Sequence, residues 1–217
     1  PGAGRTDGCL RLTSLVNRGA SSLANARLMI VGFLVAMTQV GCNIFETRPP
    51  EPPTQSSSSF IPATEPSLVF SNMTNAFRDM NSLNYLKSFA DSSTAARSFS
   101  FEPTPQARVK YGGVFLFWSR QSEQQYFENL RARIPSGSTA TLVFQTLTAQ
   151  SLQSDSAQYE ATYTLTAPHS VASIPKQATG KAQFLLLADR SRNWVLWRWI
   201  DVPTGSSSFS WSDLKGE

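Results

Sequence analysis

Beyond Ile134 no stretch of the chain carries a helical period. Four segments rich in β-branched and aromatic residues follow instead, over residues 139–147, 158–165, 178–188 and 194–202. Their connections hold Ser/Asp, Pro/His/Ser and Asp189-Arg-Ser-Arg-Asn193 turns. Parallel neighbours need a long crossover, usually a helix, and no strand–helix–strand alternation exists here. The spacing therefore predicts a four-strand antiparallel meander.

The helices come first. Pro66 suits a first helical turn, where its missing N–H would be unpaired. Val69, Met73, Phe77 and Met80 then recur at helical spacing, with Phe70 alongside. Asn81 and Ser82 can cap a second helix, in which Leu83, Leu86 and Phe89 face one way until Asp91-Ser-Ser-Thr94 closes it. Phe99 and Phe101 alternate with polar residues in a short strand stopped by Pro103. Ser119 caps a further helix carrying Tyr126, Phe127, Leu130 and Ile134, ended by Pro135-Ser-Gly137, with Arg131 and Arg133 on its solvated side. Asp155 reads as turn chemistry, and residues 206–212 as an edge strand. The fold class is α+β, with helices packed on one face of a curved antiparallel sheet that leaves a conical cavity.

The front of the chain carries an address. Residues 28–37 are an apolar run of ten preceded by Arg18 and Arg27, and Val40-Gly41-Cys42 follows closely. Ten residues at about 1.5 Å each cover half of the roughly 30 Å hydrocarbon thickness, so an export signal fits better than a spanning helix. This resembles the lipobox of bacterial lipoproteins, although Gln39 stands where Leu is usual. The resemblance implies lipidation of Cys42 and anchoring in the cell envelope, at the outer membrane or the periplasmic face. Pro1 is not an initiator residue, so the start reads as a fragment or an over-extended frame. The expected organisation is 1–41 as signal and N-terminal excess, 42–65 as lipidated cysteine and Pro/Ser-rich tether, and 66–217 as the folded domain. Prolines and a serine run over 43–65 cannot repay backbone ordering, and stretched out they reach roughly 70 Å.

Charge excludes one class of partner. The chain's +4 divides unevenly: residues 1–41 hold four arginines against Asp7, leaving 15 basic and 14 acidic residues from Cys42 onward. No basic stripe remains for nucleic acid. Cys9 and Cys42 are the two cysteines, so the folded part holds no thiol for a disulfide, a metal or nucleophilic attack. About 150 residues bury roughly 68–70% of the unfolded surface, enough for a core without such staples.

The Tyr126-Phe-Glu-Asn-Leu130 helix, the Asn193-Trp-Val-Leu-Trp-Arg-Trp-Ile-Asp201 strand and the closing Ser210-Trp-Ser-Asp-Leu-Lys-Gly216 resemble the NTF2-like (SnoaL-like) superfamily of cone-shaped α+β domains. Uncharacterised bacterial lipoproteins carrying such a domain are similar. The resemblance covers residues 66–217 and implies a scaffold shared by isomerases, dehydratases, ligand-binding domains and assembly modules. In related enzymes an acidic residue in the cavity acts as general base.

No residue is assigned a catalytic or metal-binding role. His169 is the one histidine and reads as a solvated loop residue without partners for a triad or a zinc site. Tyr111-Gly-Gly113 is too short for a phosphate loop. Strict alternation along 194–201 places Trp194, Leu196, Arg198 and Ile200 on one face and Val195, Trp197, Trp199 and Asp201 on the other. Tyr159, Tyr163, Trp197, Trp199 and Asp201 are the candidate cavity lining, with Asp201 as an acceptor for Arg198, a turn N–H or an indole. The functional expectation is a membrane-anchored domain that needs no cofactor and binds an envelope protein or a small apolar ligand. The alternatives are a cavity enzyme using Asp201 and a self-associating structural module, for instance a homodimer.

Overall fold

The computed structural model describes residues 59–205 and 208–217. Cys42, the apolar run and most of the Pro/Ser-rich segment lie outside the described residues. The folded unit takes the expected α+β form, with helices on the inner face of a five-stranded sheet of order β1-β5-β4-β3-β2.

Packing begins earlier than residue 66. The Asn72 side chain accepts from Ile61 N (2.9 Å) and donates to Ile61 O (2.6 Å), and Ala63 is buried with its carbonyl accepting from Trp194 N. These contacts fix residues that composition alone assigns to a tether. Helix α1 (Pro66–Arg78) starts with proline in its first turn and buries Val69, Phe70, Met73, Ala76 and Phe77. Met80 leaves the helix at a positive φ of 47°. Asn81 Oδ1 then accepts from Asn84 N at 3.0 Å and caps α2 (Ser82–Leu86). Leu83 does not join Leu86 and Phe89 inside: it is exposed, because α2 makes little more than one turn and presents Ser82, Asn84, Tyr85 and Leu86 inward.

After α2 the chain runs along the free edge of β5 (Trp194–Val202). Ser88 O accepts from Leu196 N, Ala90 N donates to Leu196 O, and β1 (Ser100–Glu102) pairs with β5 in parallel. The sheet is therefore not wholly antiparallel. The connection from β1 to β5 passes through two helices and three strands, which is ample for a parallel return. Helix α3 (Pro105–Lys110) and a 3-10 turn (Gly112–Phe115) occupy a stretch for which the sequence predicts no element. Helix α4 (Arg120–Arg133) starts at a capping box of Ser119 and Ser122 and buries Glu123, Tyr126, Phe127 and Leu130.

The predicted meander is present as β2 (Thr141–Leu152), β3 (Ser156–Thr166), β4 (Gln177–Ala188) and β5, joined antiparallel. One feature of β5 departs from the alternation. Leu186 pairs with Leu196 and Leu185 with Arg198, so Trp197 is the extra residue of a β-bulge. The bulge resets the faces: Trp194, Leu196, Trp199 and Asp201 all point into the helix side. Val195 and Trp197 pack outside with Ala90, Ala95 and Leu187.

The C-terminal residues form a helix and not an edge strand. Ser210 and Asp213 make a reciprocal capping box for α5 (Trp211–Gly216). Among the described residues one ladder-like bond survives from the strand expectation, Thr179 N to Phe209 O at 2.9 Å. Trp211 and Leu214 are buried, so α5 sits inside the curve of the sheet.

Candidate functional site

The bulge in β5 delivers Asp201 to the interior, where β3 and α5 meet it. Its Oδ1 accepts from the Tyr163 hydroxyl at 2.7 Å. Its Oδ2 accepts from Ser212 N at 2.9 Å and from the Ser212 hydroxyl at 2.5 Å. The Tyr163 oxygen in turn accepts from Trp211 N at 2.9 Å. Tyr163 fits because its cross-strand partner on β4 is Gly180, where any Cβ would collide with the tyrosine hydroxyl. Burial pushes the Asp201 carboxyl up from its ordinary value, against the Ser212 and Tyr163 donors and the Lys215 charge. Burial and the neighbouring carboxylate together raise Tyr163 well beyond a free phenol.

Beside this group lies a second that sequence reasoning missed. Glu123, in the first turn of α4, is fully buried. Trp118 Nε1 donates to its Oε1 at 2.7 Å, the Tyr85 hydroxyl donates to Oε2 at 2.9 Å, and the Lys215 ammonium closes on Oε1. The Lys215 ammonium lies 3.7 Å from the Phe101 ring centre and 3.8 Å from that of Trp199, with Trp118 and Tyr126 slightly farther. Burial pulls the amine down to about 8, with the Glu123 charge opposing. The Tyr85 and Tyr126 hydroxyls are raised by the same burial and by Glu123. The Trp211 indole donates to the Tyr126 hydroxyl at 3.0 Å.

The candidate lining residues separate. Tyr163, Trp199 and Asp201 converge. Tyr159 lies under α1 against Phe70, with ring centres 5.2 Å apart. Trp197 is on the outer face beneath Arg97. Asp201 takes its bonds from Ser212 and Tyr163, while Arg198 pairs with Glu102 at 2.9 Å. His169 is not solvated: it is buried in the β3–β4 connection, with Nε2 at 3.2 Å from Pro175 O.

Around Asp201 and Glu123 the donors all come from within the chain. Asp201 has three donors from its own chain, and Glu123 has three. The crevice bordered by Lys215, Tyr126, Arg133 and Leu214 has a volume of about 40 Å³, room for one water. Among the described residues no group of His, Cys, Asp and Glu could hold a metal ion. The same residues include no helix long and apolar enough to cross a membrane.

Solved structures similar to this chain include a nuclear transport factor 2 (NTF2-like) superfamily protein from Salmonella enterica serovar Typhimurium LT2, at 11% identity and a TM-score of 0.46. That match covers 64% of this chain and 88% of that one. A ketosteroid isomerase-like protein from Erwinia carotovora atroseptica SCRI1043 is similar at 11% identity and a TM-score of 0.44, covering 66% of this chain and 97% of that one. A conserved protein from Planctomyces limnophilus DSM 3776 is similar at 14% identity and a TM-score of 0.46, over 63% and 91% of the two chains. No protein-family model and no curated protein matches the chain.

Proposed function

We propose that this chain is a lipid-tethered domain of the bacterial envelope that holds a protein partner and does not turn over a substrate. One observation carries the non-catalytic half. The space enclosed by sheet and helices, where a cone-shaped enzyme would hold its substrate, is filled by Trp211 and Lys215 of the chain itself. A small apolar ligand bound in that interior would have to expel that helix, whereas a protein partner needs only the surface. The tether rests on Cys42 and the residues around it. Growth with labelled palmitate should label the wild-type chain, and Cys42→Ser should abolish the label. An unlabelled wild type rejects the tether. Photo-crosslinkers at exposed positions should trap a discrete protein adduct in intact cells; a surface that traps none rejects the partner.

A second reading has one observation in its favour. Asp201 is an acid raised by burial and touching a tyrosine hydroxyl, the pairing that an isomerase- or dehydratase-like cavity enzyme would use. It requires α5 to leave the interior. Full turnover by an Asp201→Asn variant, once a substrate is known, removes this reading.

A further inference from the structure

The last turn of α3 and the segment joining it to α4 show several apolar side chains to solvent. Val109 is 85% exposed, Leu116 73% and Phe117 90%, and Val114 is nearly half exposed. These are four of the eight large hydrophobic residues exposed among the described residues, and they fall within nine consecutive positions. Isolated exposed hydrophobics need no explanation, but such a concentration does.

The exposure is built in and is not the slack of a loose loop. Phe115 and Trp118, the residues flanking Leu116 and Phe117, are buried in the core, with ring centres 5.2 Å apart. Ala107 anchors α3 from below, and the Tyr111 hydroxyl donates to Glu217 at 2.6 Å. Two anchors on either side of a two-residue tip hold Leu116 and Phe117 outward. A side chain nine-tenths exposed stands proud of the surface and offers a partner a wedge in place of a groove.

Along the sequence between Glu102 and Glu123 the charge is one-sided. Residues 103–122 contain Arg108, Lys110 and Arg120 and no acidic residue, a net of +3. The acids that reach them come from elsewhere: Glu102 at 3.6 Å from Arg108, Glu217 at 3.3 Å from Lys110 and Asp91 at 3.3 Å from Arg120. All three are exposed pairs of the kind that water and salt hold weakly. Apolar tips flanked by cations match the boundary of an anionic bilayer, where acyl chains lie just beneath negative headgroups.

We propose that the 109–117 segment is a membrane-docking edge that lays the domain onto an anionic phospholipid surface. Val109, Leu116 and Phe117 enter the headgroup boundary, while Arg108, Lys110 and Arg120 exchange their surface acids for lipid phosphates. The proposal uses the tethered reading only to place a bilayer within reach.

The test places an environment-sensitive fluorophore on the full chain at Phe117→Cys, with Cys9→Ser and Cys42→Ser removing the other thiols. A control label goes at Leu152→Cys, which is exposed on β2, at the opposite edge of the sheet from β1. With vesicles of phosphatidylglycerol and phosphatidylcholine, emission from position 117 should shift to the blue while position 152 stays unchanged. High salt should raise the lipid concentration for half the shift by about tenfold. A Val109→Cys label should show the same shift and lose it in Leu116→Asp/Phe117→Asp. An unshifted label at 117, equal shifts at 117 and 152, or a shift that grows with protein concentration without lipid overturns the proposal. The last would indicate a second copy of the chain. Because Cys42 is absent from these proteins, a failure here leaves the palmitate test of the tether untouched.

Discussion

Lys215 and Glu123 form an ion pair in which neither side chain has any exposure to solvent. They lie 92 residues apart in sequence, so the pair pins the C-terminal helix to α4 beneath the sheet. An interior pair of this kind adds little net stability, because desolvating two charges offsets their attraction, but removing one partner strands the other.

Lys215→Met is therefore expected to destabilise the fold by about 3–5 kcal/mol. The double variant Lys215→Met/Glu123→Gln keeps the acceptor for Trp118 or Tyr85 and removes the stranded charge. It should return to within about 1–2 kcal/mol of wild type. Urea denaturation of the full cycle reads both values. Additive losses would show that the pair is not coupled.

The same lysine sets an alkaline pH dependence. Its amine is lowered to about 8 in the fold, from an ordinary value near 10.5. Between those values the unfolded chain binds more protons than the folded one, so stability rises with pH. The gain from pH 8 to about 9.5 should be about 1–2 kcal/mol. Nearer pH 10 the raised Tyr85, Tyr126 and Tyr163 act oppositely, because only the unfolded chain loses their protons. Thermal melts should therefore show a rise that levels off, and Lys215→Met/Glu123→Gln should lack it.

Gly180→Ala tests the seat of Tyr163. A Cβ there would displace the hydroxyl that donates to Asp201 and accepts from Trp211 N. The expected loss is about 1–3 kcal/mol, read as a lower melting temperature. A Tyr163→Phe/Gly180→Ala double variant should lose less than the two single losses added together, since the clash with the hydroxyl disappears.

Much of this fold is legible in the sequence where the signal is local. Pro66, the Asn81 and Ser119 caps and the four strand segments sit close to where the structure places them. The bulge at Trp197 is not legible, because both faces of β5 are apolar and an extra residue leaves no trace in an alternation without contrast. The convergence of Tyr163, Trp199 and Asp201 is half-visible: alternation already puts Trp199 and Asp201 on one face, but that this face is the helix side, shared with Trp194 and Leu196, depends on that bulge. Glu123 is hidden for a different reason. It lies in the polar-looking first turn of α4, and its partner is 92 residues away. The C-terminal helix carries a readable Ser210–Asp213 capping pattern, yet at six residues it is too short for periodicity to register.

If α5 is a permanent part of the interior, the amide exchange rate of Ser212 reports it. Its N–H donates to the buried Asp201 carboxylate, so a fixed helix should release that proton only on global unfolding. The opening free energy at Ser212 should equal that of the slowest amides in β4. Fast exchange at Ser212 while β4 stays protected would contradict it, and would make the helix a lid over a working cavity.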